Sequence, residues 1–131
     1  MAKSCLPFLM FTGEASEALD FYLATFPGAE IVEMVHYGEG EQMPAGKVKA
    51  AVFTVAGQLI RAFDSPPVHA FTFTPSISYF VECESEAELR QVGGALAEGG
   101  GVMMPIDNYG FSQLFTWVAD RFGVSWQLNL A

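Results

Sequence analysis

Apolar and polar positions along the chain follow one order twice: strand, helix, then three strands. Leu6 to Phe11 is a continuous apolar run, the mark of a buried strand. Thr12-Gly13-Glu14 opens a helix in which Ala15, Ala18, Leu19, Tyr22 and Phe26 recur at helical spacing, and Pro27-Gly28 stops it. Ala29 to Tyr37 reads as a strand. Gly38 to Gly46 is a Gly-rich loop, either a lid or a loose hairpin tip. Lys47 to Val55 and Leu59 to Asp64 are strands joined by the tight turn Ala56-Gly57-Gln58.

Ser65 to Pro75 carries Pro66, Pro67 and Pro75 and reads as a linker. The order then begins again. Ser76 to Cys83 is a predicted strand. Ser85 and Glu88 form a capping box for a helix lined by Leu89, Val92 and Leu96. Gly99-Gly100-Gly101 ends that helix. Val102–Ile106, Phe111–Val118 and Val124–Leu130 complete the set. The expectation is a single α+β domain of two βαβββ modules, about residues 1–66 and 75–131. Each module should be a curved, mostly antiparallel sheet with one helix on its outer face, the sheets lining an apolar cup.

Composition narrows the function classes. The chain has 131 residues, 51% of them hydrophobic and 16% charged, which suits one packed domain. Its 12 Phe residues call for a very full core or an aromatic cavity. A formal net charge of −9 with no basic stripe argues against nucleic acid and against anionic membrane surfaces as partners. The first apolar run is too short for a signal peptide or a membrane span, so a cytoplasmic location is expected. Cys5 and Cys83 form no CxxC pair and read as two small buried hydrophobes.

Several side chains are candidates for chemistry. His36, beside Tyr37 on the second strand, has the residue type of a general base. His69 falls in the linker, as a solvated or inter-subunit residue. Arg61, one of six basic residues, shares a strand face with Leu59 and Phe63 and is a candidate anchor for an anionic ligand or a member of a surface ion pair. Trp117 and Trp126 fall on adjacent strands of the last hairpin. Gln127 alternates with Trp126, so a Trp126 packed under the helix would leave Gln127 facing the cup. Arg61, Phe63, Trp117 and Gln127 are thus the expected ligand-binding residues. Asp64, at a strand end, is expected to cap the following turn.

Four stretches carry a resemblance: Phe11-Thr12-Gly13-Glu14-Ala15-Ser16-Glu17-Ala18-Leu19-Asp20-Phe21-Tyr22, Phe26-Pro27-Gly28-Ala29-Glu30-Ile31, Phe71 to Cys83, and Asp120-Arg121-Phe122-Gly123-Val124-Ser125-Trp126-Gln127. Together they resemble PhnB-like proteins, a branch of the glyoxalase/bleomycin-resistance (vicinal oxygen chelate) superfamily that also carries a 3-demethylubiquinone-9 3-methyltransferase label. The first strand here leads into Thr12-Gly13-Glu14, without the Gly-rich loop of a doubly wound methyltransferase sheet. The resemblance implies a divalent ion held by His, Gln or Glu from the first and fourth strands of each module. The first strand offers Phe8, Leu9, Met10 and Phe11 instead. Only Asp64, Glu82 and Gln127 remain as candidate ligands, so no metal or other cofactor is expected.

Three readings stay open at this stage. One is a module that binds a small organic molecule without turning it over. The second is a metal-independent enzyme using His36 or a carboxylate. The third is an enzyme with an unusual metal site. In each, the resemblance implies pairing across subunits, and a homodimer is expected.

Overall fold

The computed structural model describes residues 1–131. It contains β1 (Phe8–Phe11), α1 (Ala15–Thr25), β2 (Glu30–His36), β3 (Val48–Val55) and β4 (Gln58–Asp64). There follow β5 (Tyr79–Glu82), α2 (Glu86–Ala97), β6 (Gly101–Asp107), β7 (Leu114–Ala119) and β8 (Ser125–Leu130). The chain divides into two compact units, Met1–Thr72 and Phe73–Ala131. Each holds one helix and one four-stranded sheet, in the orders β1-β4-β3-β2 and β5-β8-β7-β6. In both sheets the first strand pairs in parallel with the last, and the other pairs are antiparallel. The sheets are therefore mixed, and neither is the parallel, doubly wound kind. No helix is long and apolar enough to cross a membrane.

In the first unit the helical stripe Ala15, Ala18, Leu19 and Tyr22 is buried on the sheet. Tyr22 stacks on Phe53 with ring centroids 5.9 Å apart. The β3–β4 turn is made by Ala56 and Gly57, both at positive φ (49° and 83°), which is the backbone a two-residue hairpin with right-handed twist requires. The loop after β2 is closed by two backbone bonds, Tyr37 N–H to Lys47 C=O and Gly46 N–H to Tyr37 C=O. Within it Glu41 accepts from the Gly38 N–H at 2.7 Å and pairs with Lys49, and Met43 is buried. The predicted loose tip is thus pinned.

In the second unit the capping box forms as local sequence dictates. Ser85 Oγ accepts from the Glu88 N–H at 3.1 Å, and the Glu88 carboxylate reaches back to the Glu84 N–H at 2.9 Å. Leu89, Val92, Gly93 and Leu96 are buried against the sheet. A Cβ on Gly93 would lie 3.3 Å from the Thr116 methyl and 3.5 Å from Leu128, so the glycine lets α2 sit close to β7 and β8.

Three expectations need correction. The strand expected over Ser76–Cys83 starts only at Tyr79, because only Tyr79–Glu82 find a partner in β8. The strand expected from Phe111 begins at Leu114, and Phe111 is left exposed. Cys5, expected to be buried, is exposed ahead of β1, whereas Cys83 is buried. Burial, reinforced by the neighbouring Glu88 and Glu82 carboxylates, pushes the Cys83 thiol up to about 11. At pH 8 one thiol per chain should therefore react promptly with a disulfide reagent in the folded protein, and Cys5→Ser should abolish that fast phase. The raised pKa also has a stability consequence. The folded state holds the Cys83 proton more tightly than the unfolded state, so its contribution is intact below the ordinary value of 9.0 and is lost as pH climbs towards 11.

Candidate functional site

Strand alternation sorts the second sheet into two faces. On the helix side the rows across β7, β8 and β5 are Val118·Trp126·Tyr79 and Thr116·Leu128·Val81. Trp126 is fully buried there, its indole N–H donates to Asp120 at 2.9 Å, and its ring lies 5.0 Å from that of Tyr79. Burial raises the Tyr79 hydroxyl to about 12. The other face carries the remaining side chains. Its rows are Ala119·Ser125, Trp117·Gln127·Phe80 and Phe115·Asn129·Glu82.

This open face mixes aromatic rings with a chain of hydrogen bonds. The Trp117 indole donates to Ser125 Oγ at 2.9 Å, Ser125 and Ser78 hydroxyls lie 2.6 Å apart, and Gln127 donates to Ser78 at 3.3 Å. One row further on, the Asn129 amide donates to both Glu82 oxygens at 3.0 and 3.3 Å. Phe115 is ringed by Phe80, Tyr109 and Phe111, at centroid distances of 6.3, 6.1 and 5.0 Å. Asn129 is only 7% exposed, and its Oδ1 is the one buried side-chain polar atom in the chain that takes no hydrogen bond. Such an orphan costs about 1–3 kcal/mol.

Trp117 and Gln127 are register partners and share the open face of the second sheet. In the first sheet Arg61 pairs with Phe8 and Val52, and Phe63 pairs with Met10, so both lie on the face turned away from α1. Phe8 and Phe63 rings are 5.0 Å apart. Arg61 is exposed, and its guanidinium takes part in neither the Lys49–Glu41 pair nor the Arg90–Glu86 pair. His36 is exposed at the end of the edge strand β2. His69 is an exposed residue stacked on Phe71.

Asp64 does something other than cap the next turn. It is fully buried, and its carboxylate accepts from Gly13 N–H and Ala15 N–H through Oδ1 and from Val48 N–H through Oδ2, each at 2.9 Å. It thereby fastens the start of α1 and the start of β3 to the end of β4. Its oxygens are spent on backbone. Glu82 is exposed and engaged by Asn129. No three His, Cys, Asp or Glu side chains come close enough together to hold an ion, so the residues present do not fit the divalent metal of the wider superfamily.

Sequence reading alone does not single out Phe80, Phe115 or Ser125 as site residues. Period-two alternation from Gln127 points to Ser125 and Asn129, and from Trp117 to Phe115. Nothing local points to Phe80, because its place depends on a parallel pairing with a strand 47 residues away.

Comparison with known proteins agrees with this architecture. The family model described as 3-demethylubiquinone-9 3-methyltransferase matches residues 3–129. A solved structure from Bacillus cereus, described as a putative 3-demethylubiquinone-9 3-methyltransferase, PhnB protein, is 44% identical, with a TM-score of 0.93 over 98% of this chain and 100% of that one. The protein YjdN of Escherichia coli K12 is 25% identical over 138 residues, covering 95% of this chain and 92% of that protein. At the level of fold alone, the fosfomycin resistance protein FosX of Listeria monocytogenes matches with a TM-score of 0.68 at 14% identity, over 100% of this chain and 94% of that one. The chain therefore belongs to the PhnB-like 3-demethylubiquinone-9 3-methyltransferase domain family, and its fold is that of the glyoxalase/bleomycin-resistance proteins.

Proposed function

We propose that this protein binds a small organic molecule on the open face of its second sheet, without a metal ion. One observation carries this reading: on that face aromatic side chains alternate with polar ones, and the rows end on a buried amide oxygen with no partner. A purely structural surface would gain nothing from enclosing such an atom. Flat rings with a few fixed polar groups are the usual make-up of a small-molecule site. Trp117, Phe80 and Phe115 would supply apolar contact, and Gln127 and Asn129 would orient the ligand. Arg61 and Phe63 offer a related mixture on the open face of the first sheet. Turnover with His36 as base has less support, because His36 lies exposed on an edge strand with no carboxylate bonded to it.

The test is a heteronuclear NMR titration of metal-free protein with indole and 2-phenylethanol. The backbone amides of Phe80, Phe115, Trp117, Gln127 and Asn129 should shift together, and Trp117→Ala should weaken binding about tenfold while leaving the rest of the spectrum in place. Shifts confined to β2, or binding that appears only after a divalent metal is added, would count against the reading.

The chain is further proposed to act as a homodimer. The exposed Ile31, Val32 and Val35 on the edge strand β2 support this, since apolar side chains on an open edge invite a partner. Light scattering at micromolar concentration should give twice the 14.2 kDa of one chain. A mass of one chain would exclude it.

A further inference from the structure

The end of the open face nearest Phe115 is more selective than the rest. Glu82, Asn129 and Phe115 stand side by side on three neighbouring strands, β5, β8 and β7. An Asn129 amide N–H is shared between the two Glu82 carboxylate oxygens, which ties the pair together. Towards a ligand the pair is rich in acceptors: the remaining lone pairs of Glu82, and Asn129 Oδ1, which is buried and unpartnered. The neighbours across the ladder cannot supply the missing donor, because Phe115 has none and Glu82 only accepts. The Tyr109 hydroxyl, the nearest donor in the aromatic group, is spent on the Pro105 carbonyl at 2.5 Å.

The aromatic surroundings point the same way. Phe111 and Tyr109 meet Phe115 edge-on, at interplanar angles of 73° and 86°, and Phe80 lies beside it. Ring faces attract cations, and a chain of net charge −9 raises the local concentration of cations over anions. A carboxylate or phosphate would meet the like charge of Glu82.

We infer that the ligand of this face presents an ammonium group to Glu82 and Asn129 Oδ1, with an aromatic or apolar body lying along Phe115 and Trp117. The inference rests on the proposed binding role of the open face and adds the chemical class of the ligand. Three matched probes separate the two claims: 2-phenylethylammonium, 2-phenylethanol and 3-phenylpropionate, each titrated into the full chain by NMR. The ammonium should bind at least about tenfold more tightly than the carboxylate, and that preference should vanish in Glu82→Gln, a change at an exposed position that leaves folding intact. Asn129→Leu should weaken the ammonium more than the alcohol.

Binding of the alcohol or the carboxylate on the same residues, with no preference for the ammonium, would overturn the ammonium inference and leave the open face as a binding surface. An ordered water that stays on Asn129 Oδ1 at saturating ammonium would overturn it too. Silence from all three probes would overturn both claims.

Discussion

Replacing Asp64 with Ala is expected to lower the unfolding free energy by about 3–6 kcal/mol, enough to leave much of the chain unfolded at 37 °C if total stability is ordinary. The size follows from what the carboxylate holds. Three backbone N–H groups, of Gly13, Ala15 and Val48, lose the carboxylate that accepts from them, the last two in buried places. Each orphaned donor costs about 1–3 kcal/mol. The Tyr37 hydroxyl, which donates to the Asp64 carbonyl at 2.8 Å, would also lose its fixed partner geometry. Asp64→Asn keeps an oxygen for Gly13 and Ala15 but turns an N–H2 group towards the Val48 N–H, so it should cost less than Asp64→Ala and still be clearly destabilising. Urea unfolding, with the midpoint compared at unchanged slope, reads both. A loss under about 1 kcal/mol for the alanine variant would mean that this carboxylate is free, and Asp64 would return as a candidate ligand.

The two tryptophans should separate sharply. Trp126→Ala is expected to cost about 3–5 kcal/mol, because a fully buried ring leaves a cavity and strips Asp120 of the indole donor. Trp117→Ala should cost no more than about 1–2 kcal/mol, since its ring is half-exposed and its main loss is one hydrogen bond to Ser125. The same pair should reverse in binding, with Trp117→Ala impaired and the conservative Trp126→Phe close to normal. Equal stability losses for the two alanine variants would show that the faces of β7 and β8 are assigned wrongly.

How much of this was legible beforehand depended on the distance over which each feature acts. The Ser85–Glu88 cap and the Ala56-Gly57 turn are settled within a few residues, and local pattern finds them. Period-two alternation correctly opposes Trp126 and Gln127, since one faces α2 and the other does not. The role of Asp64 is hidden from local pattern because its partners Gly13 and Ala15 are 51 and 49 residues away; a carboxylate at a strand end next to Ser-Pro-Pro looks like a turn cap. The exposure of Cys5 is hidden for a different reason. Its apolar neighbours suggest a strand that begins earlier than the pairing with β4 permits, and β1 starts only at Phe8. The row Phe115·Asn129·Glu82 joins three strands by one antiparallel and one parallel pairing, and no window of sequence contains all three residues. The apolar make-up of the first strand, by contrast, is plain from Phe8, Leu9, Met10 and Phe11 alone.

The central claim is that a small organic molecule lies on the open face of the second sheet with no metal between it and the protein. A crystal structure of chelator-treated protein soaked with 2-phenylethanol tests it most directly. The account predicts ring density against Phe115 and Trp117, with the hydroxyl within hydrogen-bond distance of Gln127 or Asn129. Density at β2 beside His36, a ligand held through an ion, or a bare open face at millimolar probe would contradict it.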